Sequence, residues 1–306
     1  MISELSNCTL CPRRCGADRA HGETGFCGSG AKARVFRWGP HFGEEPPLTG
    51  ERGSGAVFFS RCTMRCIYCQ NSPWSWRGEG EDVEIPRLTG IFRELATESK
   101  CENWNLVSPA PWLPLIREAV KPLISADIRL PFVYNTSGFE SAETLDAFPD
   151  LCDIALCDLR YSRNATAREA SCADGYVEAS RAAFKRFWNR LGPLETDSRG
   201  VARRGVICRI LVLPGHAAEA VENLAWLAAN VSNAVHVSVM SQYTPVYMAK
   251  EKPPWDRTVA AEEYAEVTEA AADFGFENGW MQDFESNRPS GLLGEQMTPG
   301  SGAAGL

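Results

Sequence analysis

The 306-residue chain has only four histidines, and its basic side chains are outnumbered by acidic ones, 31 against 39. The resulting net charge of −8 argues against broad binding to nucleic acid or anionic membrane, because both need a positive surface that releases counterions. No apolar run reaches the roughly 18 residues of a membrane span. The N-terminus, Met-Ile-Ser-Glu-Leu-Ser-Asn-Cys, lacks the basic and apolar regions of an export signal, so a cytoplasmic location is expected. Internal repeats and low-complexity tracts are absent, which removes repeat arrays. Hydrophobic content of 44% and charged content of 23% are those of an ordinary globular protein.

Cysteine is abundant, with 12 residues. A disulfide scaffold is usually short, and cytosolic cysteines in such number more often bind metal or do redox chemistry. Seven fall in two groups, Cys8, Cys11, Cys15 and Cys27, and Cys62, Cys66 and Cys69. Cys152, Cys157 and Cys208 sit in apolar runs and are expected to pack as small hydrophobes.

From Gly55 onward, short apolar runs alternate with longer helical patterns. The runs are Ala56–Ser60, Asn103–Ser108, Pro131–Asn135, Asp153–Asp158, Val206–Leu213 and Val235–Met240. The intervening patterns cover Arg87–Ser99, Trp112–Ser125, Ser141–Phe148, Arg168–Leu191 and Ala217–Asn230, with Val259–Phe274 after the last run. Repeated βα units of this kind predict an α/β fold with a parallel sheet, either open or barrel-like. Residues 1–50 are expected to form a cysteine-rich metal-binding segment, 51–284 the main domain, and 285–306 a flexible tail.

Cys62-x3-Cys66-x2-Cys69 follows the first run directly. Three thiolates do not complete a four-coordinate structural zinc site, but they can hold three irons of a [4Fe–4S] cubane and leave the fourth open. A zinc knuckle completed by a distant ligand is the alternative. The position after the first strand of a βα series favours the cubane. Four thiolates at Cys8, Cys11, Cys15 and Cys27 suit either zinc or an Fe–S cluster, with the cluster slightly favoured because the chain already needs cluster loading. His41, Glu44 and Glu45 could handle a proton or bind an amine, or form a solvated acidic loop.

The C-x3-C-x2-C spacing, with Tyr68 before the last cysteine, resembles the signature of radical S-adenosylmethionine (SAM) enzymes. Further stretches resemble the uncharacterised iron–sulfur (PflX-like) branch of the pyruvate formate-lyase activating enzyme family over residues 5–280. They are Cys8–Cys15, Gly22–Cys27, His41–Pro46, Gly53–Asn71, Val133–Gly138, Asp153–Arg160, Arg209–Gly215 and Met240–Pro245. The resemblance implies a partial (β/α)6 TIM-type barrel with the cluster at the C-terminal end of its strands. It implies reductive SAM cleavage to a 5′-deoxyadenosyl radical for hydrogen abstraction, with a flavodoxin- or ferredoxin-type electron donor. It further implies cluster ligation by Cys62, Cys66 and Cys69, and SAM contacts from Tyr68, Asn71, Ser108, Asn135, Thr136, Asp158, Arg160, Arg209 and Gln242. Tyr243 ends the sixth run beside Gln242, where the mouth should lie.

Three positions depart from the family pattern. Val107-Ser-Pro-Ala-Pro111 stands where a Gly-Gly-Glu stretch binds the SAM amino group, leaving Ser108 and backbone carbonyls. Asn135 replaces an acid of a monovalent-cation site otherwise matched by Thr136 and Asp158. Arg160 replaces a lysine, which keeps the charge and changes the geometry. Three readings follow: an activase acting on a partner protein, a radical enzyme acting on a small molecule or peptide, and a metal-bound electron carrier or interaction module.

Overall fold

A computed structural model describes residues 2–284 and 298–301. Its strands are β1 (Ala33–His41), β2 (Ser54–Phe59), β3 (Glu81–Val83), β4 (Trp104–Val107), β5 (Phe132–Thr136), β6 (Ile154–Asp158), β7 (Glu195–Thr196), β8 (Ala202–Leu211), β9 (His236–Met240), β10 (Gly279–Met281) and β11 (Gly300–Ser301). The helices are α1 (Pro46–Thr49), α2 (Ser72–Ser75), α3 (Ile85–Thr97), α4 (Leu113–Ser125), α5 (Ala142–Ala147), α6 (Asn164–Ser171), α7 (Tyr176–Leu191), α8 (Ala217–Asn230) and α9 (Ala261–Asp273). None is long and apolar enough to cross a membrane among the described residues.

The main sheet runs β10-β9-β8-β6-β5-β4-β2-β1-β11. From β2 to β10 its pairs are parallel, and the order never reverses. A singly wound order with right-handed crossovers places the connecting helices on one face. Packing follows strand alternation. Val57, Leu106, Tyr134, Ala155, Cys208 and Val237 join the helix-side core, to which α3 adds Leu88, Ile91, Phe92 and Leu95 at helical spacing. The other face carries a small apolar floor of Leu48, Val133, Ile154, Leu156, Ala202 and Ile207. Leu48 comes from α1, whose chain enters beneath the sheet.

All six expected strand runs lie on strands, and Cys152, Cys157 and Cys208 are buried as expected. Three differences emerge. The segment 1–50 contributes β1, antiparallel to β2, a strand hidden in the sequence by its interleaved Arg34, Arg37 and Gly39. A seventh parallel strand, β10, adds to the six expected. The stretch Arg168–Leu191 is two helices, because Cys172 at φ 50° and Gly175 at φ 70° turn the backbone left-handed between them. Of the expected tail, Gly300–Ser301 pair with Arg37–Trp38, while 285–297 and 302–306 lie outside the described residues.

Candidate functional site

The loop after β2 carries Cys62, Cys66 and Cys69 to the C-terminal ends of the parallel strands. Each sulfur has a hydrogen-bonding neighbour. The Met64 N–H donates to Cys62 Sγ at 3.4 Å, and Ser75 Oγ lies 3.1 Å from Cys69 Sγ. Cys66 Sγ accepts from Ser171 Oγ at 3.0 Å and from Arg160 Nη1 at 3.2 Å. Burial pushes the Cys62 thiol up to about 11 and the Cys69 thiol up to about 12, with proximity to Cys66 adding to both. Both are therefore thiols at neutral pH unless a metal ion displaces their protons.

An open pocket of about 710 Å³, counting solvent at its mouth, adjoins these thiols. Cys66, Tyr68, Cys69, Asn71, Asp158, Arg160, Arg209, Gln242 and Tyr243 line it. Tyr68 stacks on Trp255 at 5.6 Å and tilts against Tyr243 at 5.4 Å. Its hydroxyl meets that of Tyr161, which lies 2.6 Å from Ser171 Oγ, so a chain of hydroxyls runs from Tyr68 to Cys66.

Below the thiols, polar side chains cross the inner face of the sheet. Asp158 Oδ2 accepts from Arg160 Nη2 at 2.6 Å, and Asp158 Oδ1 accepts from Arg209 Nε at 2.7 Å. Burial opposes the Asp158 charge, but the two guanidiniums outweigh it and hold the carboxyl below its usual range. Arg209 Nη2 donates to Asn135 Oδ1 at 2.8 Å, and its Nη1 lies 3.5 Å from Glu44 Oε2. Glu44 Oε1 accepts from Asn105 Nδ2 at 2.9 Å. Glu44 and Glu45 are thus interior residues rather than a solvated loop. Burial pushes both carboxyls up, partly offset by Arg209.

The residues matched to a monovalent-cation site are separated. Asn135 and Asp158 both face Arg209, whose guanidinium bridges them. Thr136, one residue along the strand, faces away and donates to Glu140. Ser108, with Cys62, Thr136 and Glu140, lines a separate small cavity and not the pocket around Arg209. Burial pushes Glu140 up to about 7 against the hydrogen bonds from Thr136 and Tyr134. Sequence reasoning did not single out Tyr161, Ser171, Ser75 or Asn105. Strand pairing and loop packing bring Tyr161, Ser171 and Asn105 in from distant segments, and Ser75, six residues past Cys69 on α2, carries no motif of its own.

Cys8, Cys11, Cys15 and Cys27 surround one cavity with Leu10, Phe26 and Pro111. Gly25 lies so close to Cys15 that a Cβ there would stand 2.4 Å from the sulfur. Arg13 sits 3.4 Å over the Phe26 ring, and Arg19 Nη1 reaches Cys8 Sγ at 3.8 Å. Burial pushes the Cys11 thiol up to about 12. Among the described residues, no three His, Cys, Asp or Glu side chains converge as ligands of a single metal ion.

Fold and site together define an α/β protein with a thiol-bearing pocket at the C-terminal edge of a singly wound parallel sheet. No family model matches the chain. It is 27% identical over 283 residues to an uncharacterised protein of Methanocaldococcus jannaschii, MJ0674, spanning 89% of this chain and 76% of that protein. Streptococcus suis SuiB bound to S-adenosylmethionine is 11% identical with a TM-score of 0.48, over 74% of this chain and 50% of that chain. The structure of anSMEcpe with bound AdoMet and Cp18Cys peptide is 12% identical with a TM-score of 0.48, over 82% of this chain and 62% of that one. The chain thus spans about half to three-fifths of those solved chains.

Proposed function

We propose that the chain is a radical SAM enzyme built on a partial barrel, with a [4Fe–4S] cluster on Cys62, Cys66 and Cys69. The observation that carries this reading is the placement of the C-x3-C-x2-C loop at the strand ends, every sulfur having a hydrogen-bonding neighbour, beside an open polar pocket. Hydrogen bonds to thiolate sulfurs help set the potential of such clusters. The thiols do not converge on a single point, and a cubane takes its thiolates on separate irons. Held by Cys62, Cys66 and Cys69, such a cluster would supply the low-potential electron for reductive cleavage of SAM to methionine and a 5′-deoxyadenosyl radical.

The chain's own residues orient and seal the site. Arg160 bridges Asp158 and Cys66, fixing the pocket wall to the thiol loop. Asn71 and Gln242 present amide groups to the pocket, and the Tyr68–Tyr243–Trp255 packing excludes water from one side of it. The four N-terminal cysteines line one apolar cavity without converging on a single ion, which favours a second Fe–S cluster over zinc there. The reading is of an oxidoreductase fed by a flavodoxin- or ferredoxin-type donor, and it leaves an activase and a small-molecule or peptide enzyme as the two forms of the reaction.

The test is 5′-deoxyadenosine production. Anaerobically reconstituted protein is reduced with dithionite in the presence of SAM. Product is expected from the wild type and none from Cys66→Ala. An intact cluster that yields no 5′-deoxyadenosine sinks the proposal.

A further inference from the structure

The pocket has a second polar layer beneath it. The floor residues Val133, Ile154, Leu156 and Ile207 are 0% exposed, whereas Phe58 keeps 7%, Val107 8%, Glu45 8% and Ser238 6%. Solvent therefore reaches the layer just above the floor. One wall of it is apolar, where Phe58 meets the edge of His41 at 5.6 Å and packs with Val107. The other is acidic. Glu44 and Glu45 come from the turn before α1, and Arg209 stands over both.

Charge and hydrogen bonding in this layer do not balance. Three carboxylates, Glu44, Glu45 and Asp158, face two guanidiniums, and one of these also serves Cys66. Glu45 Oε2 and Asn105 Oδ1 are buried acceptors with no hydrogen-bond partner among the described residues, and His41 Nδ1 is likewise unpartnered. Glu45 is 92% buried by its 8% exposure, and Asn105 is fully buried. An unpaired buried acceptor costs about 1–3 kcal/mol, and an unpaired buried charge costs more. Burial raises the pKa of both glutamates, as expected for carboxyls short of positive charge. What the layer lacks is a cationic donor, and its apolar wall suits a methylene stem.

We infer that Glu44, Glu45 and Asn105 form the recognition site for a primary ammonium group on an aliphatic stem, with the stem along Phe58 and Val107. Its role as a substrate subsite rests on the proposed radical chemistry in the pocket above. A lysine side chain of a peptide and a free alkylamine share this chemistry.

The test is calorimetric binding to the reconstituted full chain without SAM or reductant. The probes are 1,5-diaminopentane, an end-blocked tripeptide with central lysine, and their neutral counterparts 1,5-pentanediol and the norleucine tripeptide. At least one cationic probe is expected to bind ten or more times tighter than its neutral counterpart. Binding of the diamine alone supports a free amine, and binding of the tripeptide alone a peptide side chain. Glu45→Gln and Glu44→Gln, with melting curves showing them folded, are each expected to weaken that probe at least tenfold. Should either variant fail to fold, the charged-against-neutral comparison on wild type still decides. The inference is overturned if no cationic probe binds, if neutral probes bind equally, or if the folded glutamine variants keep wild-type affinity. Because the titration uses neither SAM nor reductant, its failure is separable from a failure to make 5′-deoxyadenosine.

Discussion

Arg209→Met should be among the most damaging single changes to the inner face, and its cost can be worked from the contacts. The Arg209 guanidinium donates to Asp158 at 2.7 Å and to Asn135 at 2.8 Å, and it lies 3.5 Å from Glu44 with its side chain only 17% exposed. Methionine keeps most of the stem but leaves Asp158 with Arg160 alone, and Glu44 with amide donors alone. Removing one partner from a buried ion pair costs about 3–5 kcal/mol, because the remaining charge stays desolvated. Arg209→Lys keeps the charge but loses the fork that bridges Asp158 and Asn135, so it should lose about one charge-assisted hydrogen bond, roughly 1.5–3 kcal/mol. Urea unfolding of the reduced chain at pH 7.5 and pH 5.5 measures both. The sign of the pH effect follows from burial. Without Arg209, the folded-state pKa values of Glu44 and Glu45 rise further above their unfolded values, and that of Asp158 loses part of what holds it below its own. The folded variant then binds more protons than its unfolded state, and its deficit grows as pH rises. A loss below about 1 kcal/mol at pH 7.5, or a deficit that does not change between the two pH values, would refute the reasoning.

Two further outcomes test other parts of the molecule. Glu102 is fully buried and is held to about 2 by hydrogen bonds from Arg52, which with Arg199 outweigh its burial, so its contribution is complete above the usual carboxylate range and lost as pH falls from about 4.5 to 2. Glu102→Gln should therefore cost about 3 kcal/mol at pH 7 by the shift alone, and the gap from wild type should close in acid unfolding curves; a constant gap would contradict the assignment. Gly25→Ala sets a Cβ 2.4 Å from Cys15 Sγ, so it should lower the metal content retained by a chain that also carries Cys62→Ala, Cys66→Ala and Cys69→Ala. Iron and zinc counts read this directly, and an unchanged count would separate Cys15 from the proposed N-terminal metal site.

Local spacing alone determined the βα alternation, the six parallel strands β2, β4, β5, β6, β8 and β9 that carry the site, the burial of Cys152, Cys157 and Cys208, and the placement of the three-thiol loop after the first parallel strand. Such features are legible because period-2 and period-3.6 patterns and short motifs are properties of neighbouring residues. Tertiary structure decided the rest. It drew Ala33–His41 into the sheet as an antiparallel strand, since register with β2 outweighs a broken apolar pattern. It turned Thr136 toward Glu140 while Asn135 faced Arg209, because successive residues of a strand point to opposite faces. It also carried Glu44 and Glu45 from a proline-rich turn to the interior, where Arg209 from a strand some 160 residues later meets them. A string of residues shows which charges exist, but only the fold shows which are desolvated together, and desolvation makes their pairing energetically consequential.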